Sequence, residues 1–432
     1  MDFPFISFII GIPIIGILLI MLSDRHQEDR IKTIAGITSF ITMLLCIALF
    51  SSYDYTRGGY QMIEWIDWFP ALGVEYYVGV DGFNAPLLLL SGILCFTCVM
   101  VSFNIKTRIR EYFALTLASL VGVFGVFASL NLFFFILFFE LASIPMYFLI
   151  GIWGSDKMGA GKQVKKRYSA TKLILYLQLG GGLILLGALG LYFLSGVKTF
   201  DIEILQKTAL VAKWQMIIFP IMFIGFAIEA GMVPFHTWLP DGHSAAPTAL
   251  SMILAGVLLK MGGYGMIRVC VSIMPEGAAF WLKIFAVIAI INILYGALCA
   301  MVQTDVKYII AYSSVSHMGI VILGIAALTP MALQGASFQM FSHGVITALL
   351  FALAGYLYEK THTRDITAHG GLGIKIPMLA ALFVFAGLAT LGLPGLSGFV
   401  AELMVFLGSF KIYPVLTILA IFGLVLTAIY IL

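Results

Sequence analysis

The sequence predicts an all-α, polytopic membrane protein of about 13–14 transmembrane helices. Two inverted five-helix repeats are expected, with helices 7 and 12 discontinuous. Three observations carry this. Of 432 residues, 61% are hydrophobic and only 10% charged, with a mean hydropathy of +1.07, too little polar surface for a soluble globule of that length. Thirteen apolar runs approach the ~20 residues that a spanning helix needs. Two of them are broken at membrane depth, each beside a carboxylate.

The runs place helices at about 4–22, 32–51, 81–103, 112–129, 130–152, 170–195, 214–232, 246–268, 281–302, 308–326, 331–357, 376–394 and 413–432. The first, Phe3 to Leu22, is too long for a signal-peptide core and lacks a basic start, so it reads as a span. A long connection over 52–80, with Trp65, Trp68 and several acidic residues, reads as a surface loop. Segment 396–410 continues the twelfth helix beyond its break, and the last run reaches Leu432 without a polar flank. Three parts are expected: residues 1–110 with helices 1–3, 111–270 as the first inverted repeat (helices 4–8) and 271–432 as the second (helices 9–13).

The breaks are Gly231-Met-Val-Pro-Phe-His-Thr-Trp-Leu-Pro240 and Gly392-Leu-Pro-Gly-Leu-Ser-Gly398, with Pro234, Pro240 and Pro394 as the breakers. Proline removes a helix hydrogen bond, and irregular backbone in a bilayer survives only beside protein or a wet cavity. Glu229 precedes the first break and Glu402 follows the second, five helices apart, a pattern that points to inverted repeats with an ion path between them.

Basic residues sort by loop. Fifteen, among them Arg25, Lys106, Arg108, Arg110, Lys157, Lys162, Lys307 and Arg364, fall on one side, and seven, including Arg57 and Arg268, on the other. The richer side is expected to be cytoplasmic, with the N-terminus outside. The five cysteines sit in apolar stretches; Cys95 and Cys98 form a lone C-x-x-C without the further ligands that zinc or an iron–sulfur cluster needs. With no P-loop and no dinucleotide fingerprint, nothing suggests a nucleotide site or redox centre, and the net charge of +3 does not suggest nucleic acid.

Charges inside the spans are the functional signal, because each needs a partner, a wet cavity or a role. Glu140 lies in Phe-Phe-Glu-Leu-Ala-Ser, with Ser143 and Tyr147 on the same helix face. Lys172 opens the sixth helix, where it can serve a relay or snorkel to the interface. Lys260 has no such escape; its glycine neighbours allow close helix packing, and burial strips water from the ammonium, which suits it to exchange a proton. His317 and His343 either pass protons between Lys260 and Glu402 or bridge helices by hydrogen bonds. His236, His243 and His369 read as caps and surface residues, and no histidine spacing indicates zinc.

Met-Val-Pro-Phe-His-Thr-Trp-Leu-Pro-Asp-Gly-His, then Leu-Ala-Gly-Val-Leu-Leu-Lys-Met-Gly-Gly-Tyr-Gly, resembles subunit M (chain 4) of respiratory complex I, a family homologous to Mrp-type antiporter subunits and to subunits of dehydrogenases of reduced F420. Gly-Val-Asp-Gly, Phe-Phe-Glu, Ser-Ser-Val-Ser-His-Met-Gly and Gly-Leu-Pro-Gly-Leu-Ser-Gly-Phe-Val-Ala-Glu agree in the same order, from about residue 75 onward. The resemblance implies fourteen helices and a relay that matches Glu140, Lys260, His317, His343 and Glu402. Two departures stand out: the family's lysine of the seventh helix is Glu229 here, and the fourteenth helix is missing. Two buried carboxylates repel unless they share a proton or a lysine intervenes, and Lys172 is the expected substitute base.

The function so implied is proton translocation by a membrane subunit of a complex I-type oxidoreductase acting on quinone or a methanophenazine-like carrier. No cofactor is expected in this chain; flavin or F420, iron–sulfur clusters and quinone belong to partner subunits. The expected partners are antiporter-like L- and N-type membrane neighbours, a peripheral redox arm reached through them, and lipid, in an inner or cytoplasmic membrane. The alternatives are an Mrp-type sodium/proton antiporter subunit and a structural subunit that does not pump.

Overall fold

The computed structural model describes residues 3–156, 165–208 and 210–431. Lys157 and Lys162 of the basic loop set, and Leu432, lie outside the described residues. The helices are α1 (Phe5–Leu22), α2 (Glu28–Ser52), α3 (Ala85–Val101), α4 (Ile109–Ala128), α5 (Leu132–Trp153), α6 (Lys166–Leu194), α7 (Ile202–Lys207), α8 (Ala212–Glu229) and α9 (Trp238–Ala245). A span over Thr248–Val271 follows, in which α10 (Thr248–Ile253) and α11 (Leu259–Gly265) alternate with π-helical turns at Leu254–Leu258 and Met266–Val271. Then come α12 (Pro275–Met301), α13 (Val306–Ala326), α14 (Pro330–Thr361), α15 (Leu372–Lys375), α16 (Pro377–Thr390), α17 (Ser397–Phe410) and α18 (Pro414–Ile431). Among the described residues, 12 helical spans are long and apolar enough to cross a membrane. The shorter pair α16 and α17 forms the broken twelfth helix of the sequence reading.

The chain divides into two compact units. The first comprises Met1–Leu149, Leu177–Phe226 and Tyr264–Ala278. Here α1 packs on α2 and α4, and α2 on α3. Small residues set these approaches: a Cβ on Gly92 would stand 2.6 Å from that of Cys46, and one on Gly16 2.6 Å from the Thr38 methyl. Gly122 of α4 lies directly against the backbone of α5 at Phe138 and Ala142, where Ser119 Oγ also donates to Ala142 O at 2.7 Å.

The connection over 52–80 is not the irregular loop expected. It contains an antiparallel hairpin of β1 (Gln61–Phe69) and β2 (Val74–Val80), turning at Gly73 with φ of 64°. Its aromatic and β-branched residues suit a pleated surface. Bridges from Val78 to Ser129 and from Asn131 to Asp201, and a hydrogen bond from Tyr77 OH to Glu203 Oε1 (2.5 Å), fasten it to this unit. Arg268 anchors the same region: its guanidinium donates to Asp81 Oδ2 (2.6 Å), Tyr60 OH (2.6 Å) and Tyr264 OH (3.0 Å). Asp81 Oδ1 meanwhile accepts from the N–H groups of Phe83 and Asn84 at the start of α3.

The second unit comprises Ile150–Tyr176, Ala227–Gly263 and Ala279–Leu432. Helix α14 is its hub, packing on α10, α13, α16 and α17. Glycines again control the distances. A Cβ on Gly263 would meet Met340 Sδ at 2.7 Å, Gly335 abuts the α17 backbone at Val405 N, and Gly355 sits against Thr248. The break after α8 is internally hydrogen-bonded: Ile228 O accepts from Gly231 N (3.1 Å) and Trp238 Nε1 (3.0 Å), and Val233 N donates to Asn292 Oδ1 (2.7 Å).

Gly122→Val and Gly182→Val separate packing from composition, because an added Cβ at Gly182 meets nothing within 4 Å. Gly122→Val should lose at least about 1–3 kcal/mol of stability by overpacking, read as a lowered unfolding midpoint in detergent, whereas Gly182→Val should unfold like the parent.

Candidate functional site

Lys260 lies in α11 between the two π turns and is fully buried. π turns are frequent at functional sites because they widen the helix and disturb its bonding ladder. The carbonyl of Ala255, in the first of them, accepts from Lys260 Nζ. The second ammonium contact is His343 Nδ1 of α14 at 2.8 Å. Gly263 permits this approach, since any side chain there would push Met340, one turn before His343, away. The two bases therefore share a hydrogen bond: protonated lysine donates to neutral imidazole, or imidazolium donates to neutral amine.

His317 of α13 stands beside His343, with ring centroids 5.4 Å apart. Its Nδ1 is 3.2 Å from Glu402 Oε1 of α17. Gln339, one turn before His343, places Nε2 3.4 Å from both His317 Nδ1 and Glu402 Oε1. A cavity of about 10 Å³, roughly one water's worth of space, is lined by His317, Gln339, His343, Thr390 and Glu402. Lys260, His343, His317 and Glu402 thus form one buried polar chain inside the second unit, with His343 Nε2 and His317 Nε2 lacking a protein partner among the described residues.

Glu402 is fixed by the second break. Gly392 adopts φ of 72° and Gly395 φ of 97°, in the left-handed region that favours glycine. A Cβ on Gly392 would lie 2.7 Å from Glu402 Oε2. Pro394 lies in this break and Pro234 in the first one, but Pro240 does not break a helix: it occupies the first turn of α9, where its missing N–H has no intrahelical partner to lose.

Lys172 has a partner that sequence reasoning missed. Its Nζ is 2.8 Å from Asp241 Oδ2, and Tyr308 OH donates to Asp241 Oδ1 at 3.0 Å. Asp241 stands in the Trp-Leu-Pro-Asp segment of α9, so the signal was an acidic residue beside a break, one helix away from any other charge considered. Beyond α9, Lys307 Nζ donates to Ala246 O and Arg364 Nη1 to Ser244 O, both at 2.7 Å. These two cations, counted among the loop charges, are buried caps on a helix C-terminus. His236 and His243, read as cap or surface residues, are buried too; His243 stacks on Phe351 at 4.7 Å. Glu229 ends α8 and is buried. Glu140, in the first unit, accepts from Gln178 Nε2 of α6 and lies against Gly181. Among the described residues, no three His, Cys, Asp or Glu side chains come together as a metal site.

The family described as NADH:quinone oxidoreductase/Mrp antiporter, transmembrane, matches residues 129–427. The NADH-quinone oxidoreductase subunit M of Rickettsia prowazekii is 38% identical over 440 residues, covering 100% of this chain and 87% of that protein. The NAD(P)H-quinone oxidoreductase chain 4 of Gloeobacter violaceus is 39% identical over 437 residues, covering 100% and 81%. Among solved structures, a chain of respiratory complex I from Thermus thermophilus with bound NADH superposes with a TM-score of 0.89 at 31% identity, covering 99% of this chain and 87% of that one. A chain of the Mrp complex from Dietzia sp. shares the fold, with a TM-score of 0.85 at 23% identity and coverage of 100% and 79%.

The side chains of Lys172 and Asp241 are less than a fifth exposed, so removing one charge strands the other. Asp241→Leu should destabilise by roughly the lower end of the ~3–5 kcal/mol seen for buried pairs. Lys172→Met combined with Asp241→Leu should unfold at a higher temperature than Asp241→Leu alone; equal midpoints would mean that the pair is not coupled.

Proposed function

The chain belongs to the NADH:quinone oxidoreductase/Mrp antiporter transmembrane family, and from that membership we propose that it is the antiporter-like, proton-translocating membrane subunit of a complex I-type quinone oxidoreductase. The observation that carries the reading is the buried chain from Lys260 through His343 and His317 to Glu402, of the residue types that exchange protons, at separations one hydrogen bond or one water can bridge.

Lys260 is the central proton holder. When electron transfer elsewhere in the complex changes the charge around it, its proton passes to His343, crosses to His317 and is released through Glu402 beside the second helix break. Lys172 and Glu229, in the second unit, supply protons to Lys260, and Glu140, in the first, is a further proton-exchanging carboxylate of the subunit. The Lys172–Asp241 pair holds a cation close to the first break, in keeping with Lys172 standing in for the lysine that Glu229 replaces. The arrangement is that of two inverted repeats, helices 4–8 and 9–13 of the sequence reading, with the N-terminus on the outer side. The chain itself carries no redox centre; flavin or F420, iron–sulfur clusters and quinone are held by partner subunits. Its neighbours are other antiporter-like subunits and, through them, the redox arm.

The higher identity to quinone oxidoreductase subunits favours this reading over a sodium/proton antiporter, where the likeness is one of fold. Purification of the intact complex tests it directly: iron–sulfur and quinone-reducing partners are expected, and exclusively antiporter-type membrane partners would overturn it.

Lys260→Ala should abolish most proton pumping by reconstituted complex while leaving assembly intact. Full pumping by an assembled variant would remove Lys260 from the path and favour a structural subunit. Glu402→Gln should slow pumping markedly and Glu402→Asp less, since only the second retains a titratable group; wild-type rates for both would exclude Glu402 as the exit.

A further inference from the structure

We propose that a basic cavity at the ends of α1 to α4, remote in sequence from every relay residue, binds the phosphate headgroup of an anionic phospholipid. The cavity measures about 360 Å³ and lies wholly in the first unit. Arg25 and His26 line it from the α1–α2 turn, Lys106 and Arg108 from the α3–α4 turn, and Arg110 from the first turn of α4. Two carboxylates also reach it. Glu111 is 3.8 Å from Arg108 Nε, and Glu28 is 4.0 Å from Lys32 Nζ, so each is already directed at a cation. Four Lys or Arg side chains against two carboxylates leave a charge of +2 with His26 neutral.

Two further features point to an anion. The 20-residue helix α4 begins at the cavity wall with Ile109, and its N-cap residue Arg108 makes no side-chain capping bond, so the positive end of the helix dipole lies at the cavity. Arg110 Nε is buried with no protein partner among the described residues, although a guanidinium N–H normally finds an acceptor. Both turns are themselves ordered by hydrogen bonds: His26 N donates to Asp24 Oδ1, and Ser102 Oγ bonds to Tyr112 OH, both at 3.0 Å. The cations are thus displayed on a built frame.

A phosphate group could arrive as a lipid headgroup or as a free ion, and the surroundings favour the lipid. The site lies where four spanning helices end. The α1 residues leading up to it form an apolar face, with Leu22 85% exposed and Leu18 and Met21 also outward, along which acyl chains can run. Basic pockets between helix ends at a membrane surface suit anionic headgroups, each Lys or Arg near the surface contributing about 1 kcal/mol.

The test uses the full chain in phosphatidylcholine nanodiscs doped with spin-labelled phosphatidylglycerol or spin-labelled phosphatidylcholine. The wild-type protein should immobilise the anionic probe in preference to the neutral one, less so at high salt. Arg25→Gln with Arg110→Gln should weaken that preference roughly five-fold for each cation removed, whereas Arg57→Gln should leave it unchanged. Lys106→Gln, at an exposed side chain, gives the same reading should the double variant unfold. No preference in the wild type, or a preference that survives the cavity substitutions, overturns the proposal. Calorimetric binding of inorganic phosphate, abolished by the cavity variants and without any lipid preference, would overturn the lipid in favour of a soluble anion.

Discussion

The structure depends on one constraint: a polar group held away from water must find its partner inside the protein. Lys260 states it most sharply. Its fully buried amino group is tolerated because the Ala255 carbonyl and His343 Nδ1 bond it. The same rule accounts for details with no evident link to a relay. Trp238 Nε1 covers a carbonyl freed where α8 ends, Asn292 receives the N–H of Val233 in the break, and Lys307 and Arg364 cover the end of α9. Irregular backbone persists there because bonds such as these replace helical ones.

Glycine turns that constraint into a site. Contacts of 2.8 and 3.2 Å between buried side chains form here where glycines let the helices approach. Gly263 and Gly355 bring α14 against the Thr248–Val271 span, and Gly335 brings it against α17, so His343 and Gln339 meet partners on two sides. The contacts of Lys260 and Glu402 thus depend on residues that have no polar side chain of their own.

Much of this was legible in the sequence. Long apolar runs fixed the helices to within a few residues, since the hydrophobic length of a span leaves little freedom, and Gly231-to-Pro240 and Gly392-to-Gly398 announced both breaks. His317, His343 and Glu402, singled out as charged or titratable groups within spans, line one cavity. Other features were hidden for physical reasons. The hairpin at 61–80 was masked by its length and its acidic residues, although Val-Glu-Tyr-Tyr-Val after Gly73 carried a strand signal. Pro240 looked like a breaker because proline stops a helix from inside yet begins one equally well. Asp241 went unnoticed because its worth lies in Lys172, 69 positions away, and pairing across a fold is not a local property. Lys307 and Arg364 were taken for loop charges because sequence position near a span end does not distinguish a snorkelling cation from one folded back onto a carbonyl.

We propose that Lys260, His343, His317 and Glu402 behave as one protonic unit. Infrared difference spectroscopy with carboxyl-labelled glutamate reads this most directly, by following the Glu402 carboxyl band, assigned with Glu402→Gln, across a pH titration. If the four groups are coupled, Lys260→Met should shift the midpoint of that band although the two residues are not in contact, and His343→Phe should produce a similar shift. A Glu402 titration identical in the wild type and in both folded variants would mean that the four groups are not coupled.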